Sequence, residues 1–237
     1  MDILSLLKTV AYDLGKTDGN IAAKKDNELR DYIEEIFSQV DFTELLTPEP
    51  TENCPVNTAL TNELKNLDKT ENCTSCSNTS GFNLCKQPYA LCTSAKCIRL
   101  KSNNNMVVCY CDVLEGCSFG TQSCESLKPY KKGNLNFLYS TYNPIQSASN
   151  CNKVVEYPNE SNDSTTFANC LNQICIVDPS NKQKSFCFCP LQVADQWVTV
   201  GNTVVTNPNL YLSGASVDSF QASVQFFESC KGITIPQ

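Results

Sequence analysis

The sequence predicts an α+β protein: a small helical N-terminal segment followed by two duplicated, disulfide-rich, mainly antiparallel β units. Three observations carry this expectation. The first 46 residues contain no cysteine and repeat their apolar residues at helical steps. Sixteen cysteines, an even number, crowd the rest of the 237-residue chain. Five of those cysteines recur in the same order 78 residues further on.

The N-terminal segment, residues 1–46, reads as a helical hairpin. Asp2 stands where a cap would sit before Ile3, Leu7, Val10 and Leu14, and Gly15 follows as a stop. After the polar break at Lys16–Asn20, a second stripe of Leu29, Ile33, Ile36, Phe37 and Val40 returns at three- and four-residue intervals. Asp26 suits its N-cap, and Glu28 suits the positive end of its dipole. This second stripe is the candidate docking face, for a protein partner or for another copy of the chain. Its polar side carries Asp31, Glu34 and Glu35, which argues against an anionic membrane surface. Residues 47–53, with Pro48 and Pro50, read as a linker, because proline denies backbone donors and blocks helix continuation.

The remaining chain divides into unit 1, residues 54–145, and unit 2, residues 146–237. Tyr89-Ala90-Leu91-Cys92 leads on to Cys97, Cys109 and Cys111; Phe167-Ala168-Asn169-Cys170 leads on to Cys175, Cys187 and Cys189. Asn72-Cys73 maps onto Asn150-Cys151 at the same offset, and both units close on Ser-Cys, at Cys124 and Cys230. Cys54, Cys76, Cys85 and Cys117 stand outside the repeated set. Three disulfides in each unit and two among these four would use all sixteen cysteines. Six cysteines admit fifteen pairings, so spacing alone assigns none.

Each unit contains a hairpin pattern. Cys97–Leu100 and Met106–Cys111 flank an Asn-rich turn in unit 1; Cys175–Val177 and Ser185–Cys189 flank Asp178-Pro179-Ser180-Asn181 in unit 2. On a strand, both sulfurs of C-x-C face one side and the residue between them faces the other. Tyr110 and Phe188 should therefore back the cystines. A longer insertion, Pro190–Glu228, holds further strands at Trp197–Val200, Thr203-Val204-Val205 and Leu210–Leu212, with Leu135–Tyr139 as a counterpart in unit 1.

Composition excludes much. The chain has no histidine, which removes His-dependent triads and His-based acid–base chemistry. A formal charge of −7 with no basic cluster longer than a lysine pair argues against nucleic acid. No apolar run approaches the ~20 residues needed to span a bilayer. Met1–Leu14 lacks the layout of a signal peptide. Either a signal was removed, or the disulfides form without classical secretion, as in a virion assembled with its own thiol oxidation. The one C-x-x-C, Cys73-Thr74-Ser75-Cys76, sits in loop-like sequence without a redox context or the second knuckle that structural zinc sites use. No cofactor or metal is expected. Four Asn-x-Ser/Thr sites, at Asn72, Asn78, Asn159 and Asn162, would admit glycans on exposed segments. Trp197, between aliphatic neighbours, reads as core.

The repeat, its C-x-C strand and the following Phe119-Gly120-Thr121-Gln122-Ser123-Cys124 resemble two-repeat cysteine-rich proteins of environmental bacteria and giant viruses. The resemblance spans roughly residues 70–237 and leaves out the N-terminal segment. It rests on spacing, implies no activity and lends no catalytic residue. The function expected is therefore non-enzymatic: a structural or attachment protein of a virion or cell exterior, in an oxidising setting. A secreted cysteine-rich binding module or inhibitor is the alternative.

Overall fold

A computed structural model describes residues 81–100, 103–132, 135–149, 153–159, 163–201 and 210–232, together with Leu45, Asn62 and Cys73. The α+β expectation is corrected. Among the described residues the fold is mainly β, with two helices, Pro144–Ser149 (α1) and Val217–Lys231 (α2), each following its unit's strands. The expected 1–46 hairpin and 47–53 linker, Leu45 apart, lie outside the described residues. The realised helix signal is at the other end of the chain. Ser216 Oγ accepts from the Ser219 amide, Asp218 sits in the first turn, and Gly232 closes α2 in the left-handed region. Phe220, Val224 and Phe227 then form its buried stripe.

In unit 1, β1 (Asn83–Leu91), β2 (Lys96–Leu100) and the long β3 (Asn103–Gly120) form antiparallel pairs; β4 (Tyr130–Lys132) and β5 (Leu135–Tyr139) follow as a hairpin. Unit 2 supplies β6 (Val154–Tyr157), β7 (Thr166–Ala168), β8 (Ile174–Val177), β9 (Lys184–Val193), β10 (Trp197–Val200), β11 (Leu210–Leu212) and β12 (Ala215–Ser216). The main sheet runs β11-β2-β3-β9-β8-β5-β4, with β1 on β3 and β7 on β9; β12-β10-β6 form a second, small sheet.

The two units repeat each other's register. Cys97 faces Cys109 as Cys175 faces Cys187, and Ala90 pairs Val113 as Ala168 pairs Leu191. Where β3 and β9 meet, Cys109 lies opposite Cys187, its own counterpart, so a local two-fold relation passes through that pair. Farther out, Phe119 bridges Leu84 and Tyr142 as Val198 bridges Glu156 and Ala215. Unit 2 thus breaks into two pieces each of the strands that unit 1 keeps whole: β1 corresponds to β6 and β7, and β3 to β9 and β10.

The units also exchange strands. β5 of unit 1 pairs with β8 of unit 2, and β11 of unit 2 pairs with β2 of unit 1. Matching hydrogen bonds pin the exchange. Ser140 N–H donates to the Gln173 carbonyl at 2.8 Å, and Ser213 N–H donates to the Ala95 carbonyl at 2.9 Å. One residue on, Thr141 and Gly214 amides return to the carbonyls of Ala90 and Ala168 in their own units, at 3.1 and 3.0 Å. Neither inner sheet is complete without the other unit.

Candidate functional site

Strand alternation sorts the main sheet into two faces. One carries Leu100, Val108, Phe137, Ile176, Phe186 and Phe188, all buried. Tyr110 packs there on Phe186, ring centroids 4.9 Å apart. The other face carries the cystines. Cys92–Cys111 and Cys97–Cys109 in unit 1 answer Cys170–Cys189 and Cys175–Cys187 in unit 2, with sequence separations of 19 and 12 in both. All eight sulfurs belong to one buried cluster, and Cys170 Sγ lies 3.4 Å from Cys109 Sγ.

Between the first two cysteines of each repeated run, the chain turns through one left-handed residue: Ser94 at φ 52° and Asn172 at φ 62°. Asparagine tolerates this region better than serine does. Each turn presses on a glycine of the other unit. A Cβ on Gly120 would come within 2.4 Å of Asn172 Oδ1, and one on Gly201 within 2.3 Å of Ser94 Cβ. The resemblance ends at the side chains. Asn172 accepts from the Thr121 amide at 3.0 Å and donates to Thr121 Oγ1 at 2.5 Å, bridging the units. Ser94 is too short for the same bridge, and its buried Oγ, packed against Gly201, has no hydrogen-bond partner among the described residues.

Above the cystine face lies a cavity of about 450 Å³, lined from both units. Its walls come largely in counterpart pairs: Cys92 with Cys170, Ser140 with Ser213, and Tyr142 with Ala215. It therefore sits where the duplicated halves face one another. The N-terminal half of α2 closes one side through Ser216, Asp218, Ser219, Phe220, Ala222 and Ser223. Phe82, Phe119 and Tyr142 form an aromatic wall, with Phe119 edge-on to both of the others. Among the described residues of the lining, Asp218 is the one charged side chain.

A second polar feature lies on the opposite face. Tyr110 Oη donates to Asp178 Oδ2 at 2.8 Å, while Lys184 stands over the Tyr110 ring and pairs with Asp112 at 2.6 Å. Burial, then the Asp178 hydrogen bond, and then the charges of Asp178 and Asp112 push the Tyr110 hydroxyl well above the tyrosine range. Burial would raise Asp178 as well. Hydrogen bonds from Ser180, Tyr110 and the Asn181 amide outweigh burial and hold that carboxyl below its ordinary value. This network ties the β8–β9 turn to β3.

The other predicted site residues fall as follows. Cys73 pairs with Cys117 and Cys85 with Cys124, so two cysteines of the repeated set bond to two of the four outside it. Cys230 is disulfide-bonded, and no described cysteine is free. Cys54, Cys76 and Cys151 lie outside the described residues, as do Leu29, Ile33, Ile36, Phe37 and Val40. The sulfurs of Cys92, Cys111 and Cys187, and those of Cys97, Cys109 and Cys170, lie within 4.8 Å of one another, as metal ligands would. Each is bound in a cystine and offers no thiolate to an ion. Asn159 Nδ2, in a sequon, donates to the Glu156 carbonyl at 2.9 Å. No helix among the described residues is long and apolar enough to cross a membrane.

Sequence reasoning missed the cavity and α2. Signals for both existed. Phe137-Leu138-Tyr139-Ser140 and Leu210-Tyr211-Leu212-Ser213 are a second repeat, 73 residues apart, and the caps Asn143 and Ser216 keep that offset. Comparison with protein-family models, curated proteins and solved structures finds no match. The resemblance to two-repeat cysteine-rich proteins gains no support from them.

Proposed function

We infer that the protein works in an oxidising, extracellular-type environment, with which its disulfide-rich make-up is consistent. We propose that it is a non-enzymatic binding module of such an exterior, holding a small ligand in the cavity between its two units. The observation that carries this reading is the cavity itself. Its volume, about 450 Å³, falls in the ~300–1,000 Å³ range of small-molecule sites, and its walls mix aromatic and polar groups. Cystines and exchanged strands keep those walls fixed before a ligand arrives, which lowers the cost of ordering on binding.

Ligand-detected NMR on the oxidised protein, with mixtures of sugars, amines, carboxylates and lipids, tests this. At least one class should bind, and Ala222→Trp, which places an indole into the lining, should abolish that binding. Binding that survives Ala222→Trp would move the site elsewhere. An absence of binding from every class would overturn the reading.

The structural or attachment role on a virion or cell exterior is the second reading, supported by a cystine scaffold suited to a proteolytic setting. It ranks second because β4, at one end of the main sheet, carries Lys131 and Lys132, the kind of edge that discourages strand-to-strand assembly. Sedimentation over a wide concentration range separates the two. A binding module stays monomeric, whereas a coat protein associates.

A further inference from the structure

We infer that the ligand of this cavity is apolar: hydrocarbon, aliphatic or aromatic, in the part that it buries. This rests on the binding-module reading and narrows it to one chemical class.

The lining is rich in hydroxyls, but the deeper ones are spent. Ser140, Thr141, Thr199, Ser213 and Ser223 line the cavity, and all five are buried. Each is already bonded inside the protein. Thr199 donates to the Ser213 carbonyl at 2.7 Å, Ser223 to the Phe220 carbonyl at 2.7 Å, and Ser140 to Cys92 Sγ at 3.3 Å. Ser213 Oγ donates to the Cys92 carbonyl, and Thr141 Oγ1 shares a hydrogen bond with Ser118 Oγ at 2.6 Å. A polar ligand entering here would give up its water and gain few bonds in return, which is costly.

What the described lining offers a ligand instead is carbon. Phe82, Tyr142, Leu171 and Ala215 rest on the core cluster that holds Phe119, Val198 and Phe220, yet stay only partly covered where they line the cavity. The Phe82 ring stands 5.1 Å from Phe119, and Phe119 stands 5.6 Å from Tyr142, so the rings form one continuous wall. Ala222, exposed on α2, adds a methyl group. An apolar molecule laid against these groups extends the core cluster, and its burial is favourable without any new hydrogen bond.

Thr121, Gln192, Asp218 and Ser219 are polar lining residues that stay exposed, and so mark the solvent side of the cavity. Three of them are partnered as well: Gln192 accepts from Asn169 at 3.0 Å, Thr121 from Asn172, and Ser219 from Ser216 at 2.8 Å. A polar head group on the ligand would stay hydrated beside them while its hydrocarbon part enters. Apolar walls with a few polar groups at the edge are the common make-up of small-molecule sites.

The experiment is titration of the intact, oxidised protein, followed by amide chemical shifts. The probes are butanol, hexanol, octanol and decanol, with phenol and naphthol as rings and glucose and glycerol as polar controls. The alcohols should shift amides around Leu171, Ser213 and Phe220, and affinity should climb roughly fourfold per methylene until the cavity is full. Glucose and glycerol should leave those amides where they are. Ala222→Trp, at an exposed position that tolerates a larger side chain, should abolish binding of the whole series. Leu171→Ser should weaken it roughly three- to tenfold. Affinity that does not rise with chain length, or binding that survives Ala222→Trp, would overturn the apolar site. A sugar, amine or carboxylate that binds and is blocked by Ala222→Trp, while no alcohol or ring binds, would overturn the apolar ligand and leave the binding module standing. No binding by any class would sink both readings.

Discussion

Units 1 and 2 share an inner half and differ in how the outer half is closed. Inside, the two cystine pairs, the hairpin register and the left-handed turn repeat residue for residue. Outside, unit 1 keeps β1 and β3 unbroken and staples them with Cys73–Cys117 and Cys85–Cys124. Unit 2 breaks both strands and packs aromatics around Trp197. Trp197 lies 4.4 Å from the Tyr157 ring and 5.4 Å from the Phe167 ring, while its indole N–H donates to the Ser164 carbonyl. Tyr157, opposite Trp197, stands where Cys85, opposite Ser118, stands in unit 1. At that one position a cystine in unit 1 and an aromatic stack in unit 2 fill the same place. Unit 2 carries the fifteen-residue α2, whose Cys230 is itself disulfide-bonded, where unit 1 has the six-residue α1, and α2 makes the cavity asymmetric.

The largest expected effect breaks that comparison on the aromatic side. Trp197→Ala should cost about 3–5 kcal/mol of unfolding free energy, measured by denaturant titration without reductant. Hydrogen exchange should then rise in β6 and β10 while β1 and β3 stay protected. Equal loss of protection in both units would mean that the outer halves are not independently closed.

Cystine removal sharpens the inner half. In the chain-entropy account, Cys97→Ser with Cys109→Ser, and Cys175→Ser with Cys187→Ser, should each cost about 3 kcal/mol, because both pairs close loops of the same length. Removing Cys85–Cys124, at a separation of 39, should cost about 4 kcal/mol and leave the Trp197 region unchanged. Markedly unequal costs for the two inner pairs would refute their equivalence.

Smaller still is the Asp178 network, which only the unit 2 hairpin shows. Its carboxyl is held low in the folded state, so its contribution is present above the unfolded value of about 3.9 and is lost as pH falls through the folded one. Asp178→Ala should cost about 1–3 kcal/mol at neutral pH, and the difference from the parent should shrink on acidification. A difference independent of pH would show that the ionised carboxylate is not what stabilises the turn.

Least of all, the helix caps should weigh alike. Asn143 Oδ1 accepts the Ile145 and Gln146 amides, and Ser216 Oγ accepts the Ser219 amide, so Asn143→Ala and Ser216→Ala should each cost about 1 kcal/mol in thermal unfolding.

Local chemistry was legible in the sequence where it is set by neighbours along the chain. The C-x-C spacing placed Cys109 and Cys111 on one face and Tyr110 on the other, and Asp178-Pro179-Ser180-Asn181 marked a turn. The fold class was not, because the helix signals sought at the N-terminus left the cap, stripe and Gly232 of α2, beyond the last assigned strand at Leu212, without an assignment. The exchange of β5 and β11 was also hidden, for a physical reason. The edges of β2 and β8 are copies of each other, so either returning strand fits either edge as far as pattern can tell. Ser94 looked like any loop serine. Only the packing of Gly201 against it, and the comparison with Asn172, makes its missing partner visible.

The strand exchange, which joins the units into one sheet and builds the cavity from both, is most directly tested by interstrand nuclear Overhauser contacts. Contacts of Leu138 with Cys175 and of Tyr211 with Cys97 are the predicted result. Contacts of Leu138 with Cys97 and of Tyr211 with Cys175 would instead mean that each unit folds on itself, and the shared sheet would be wrong.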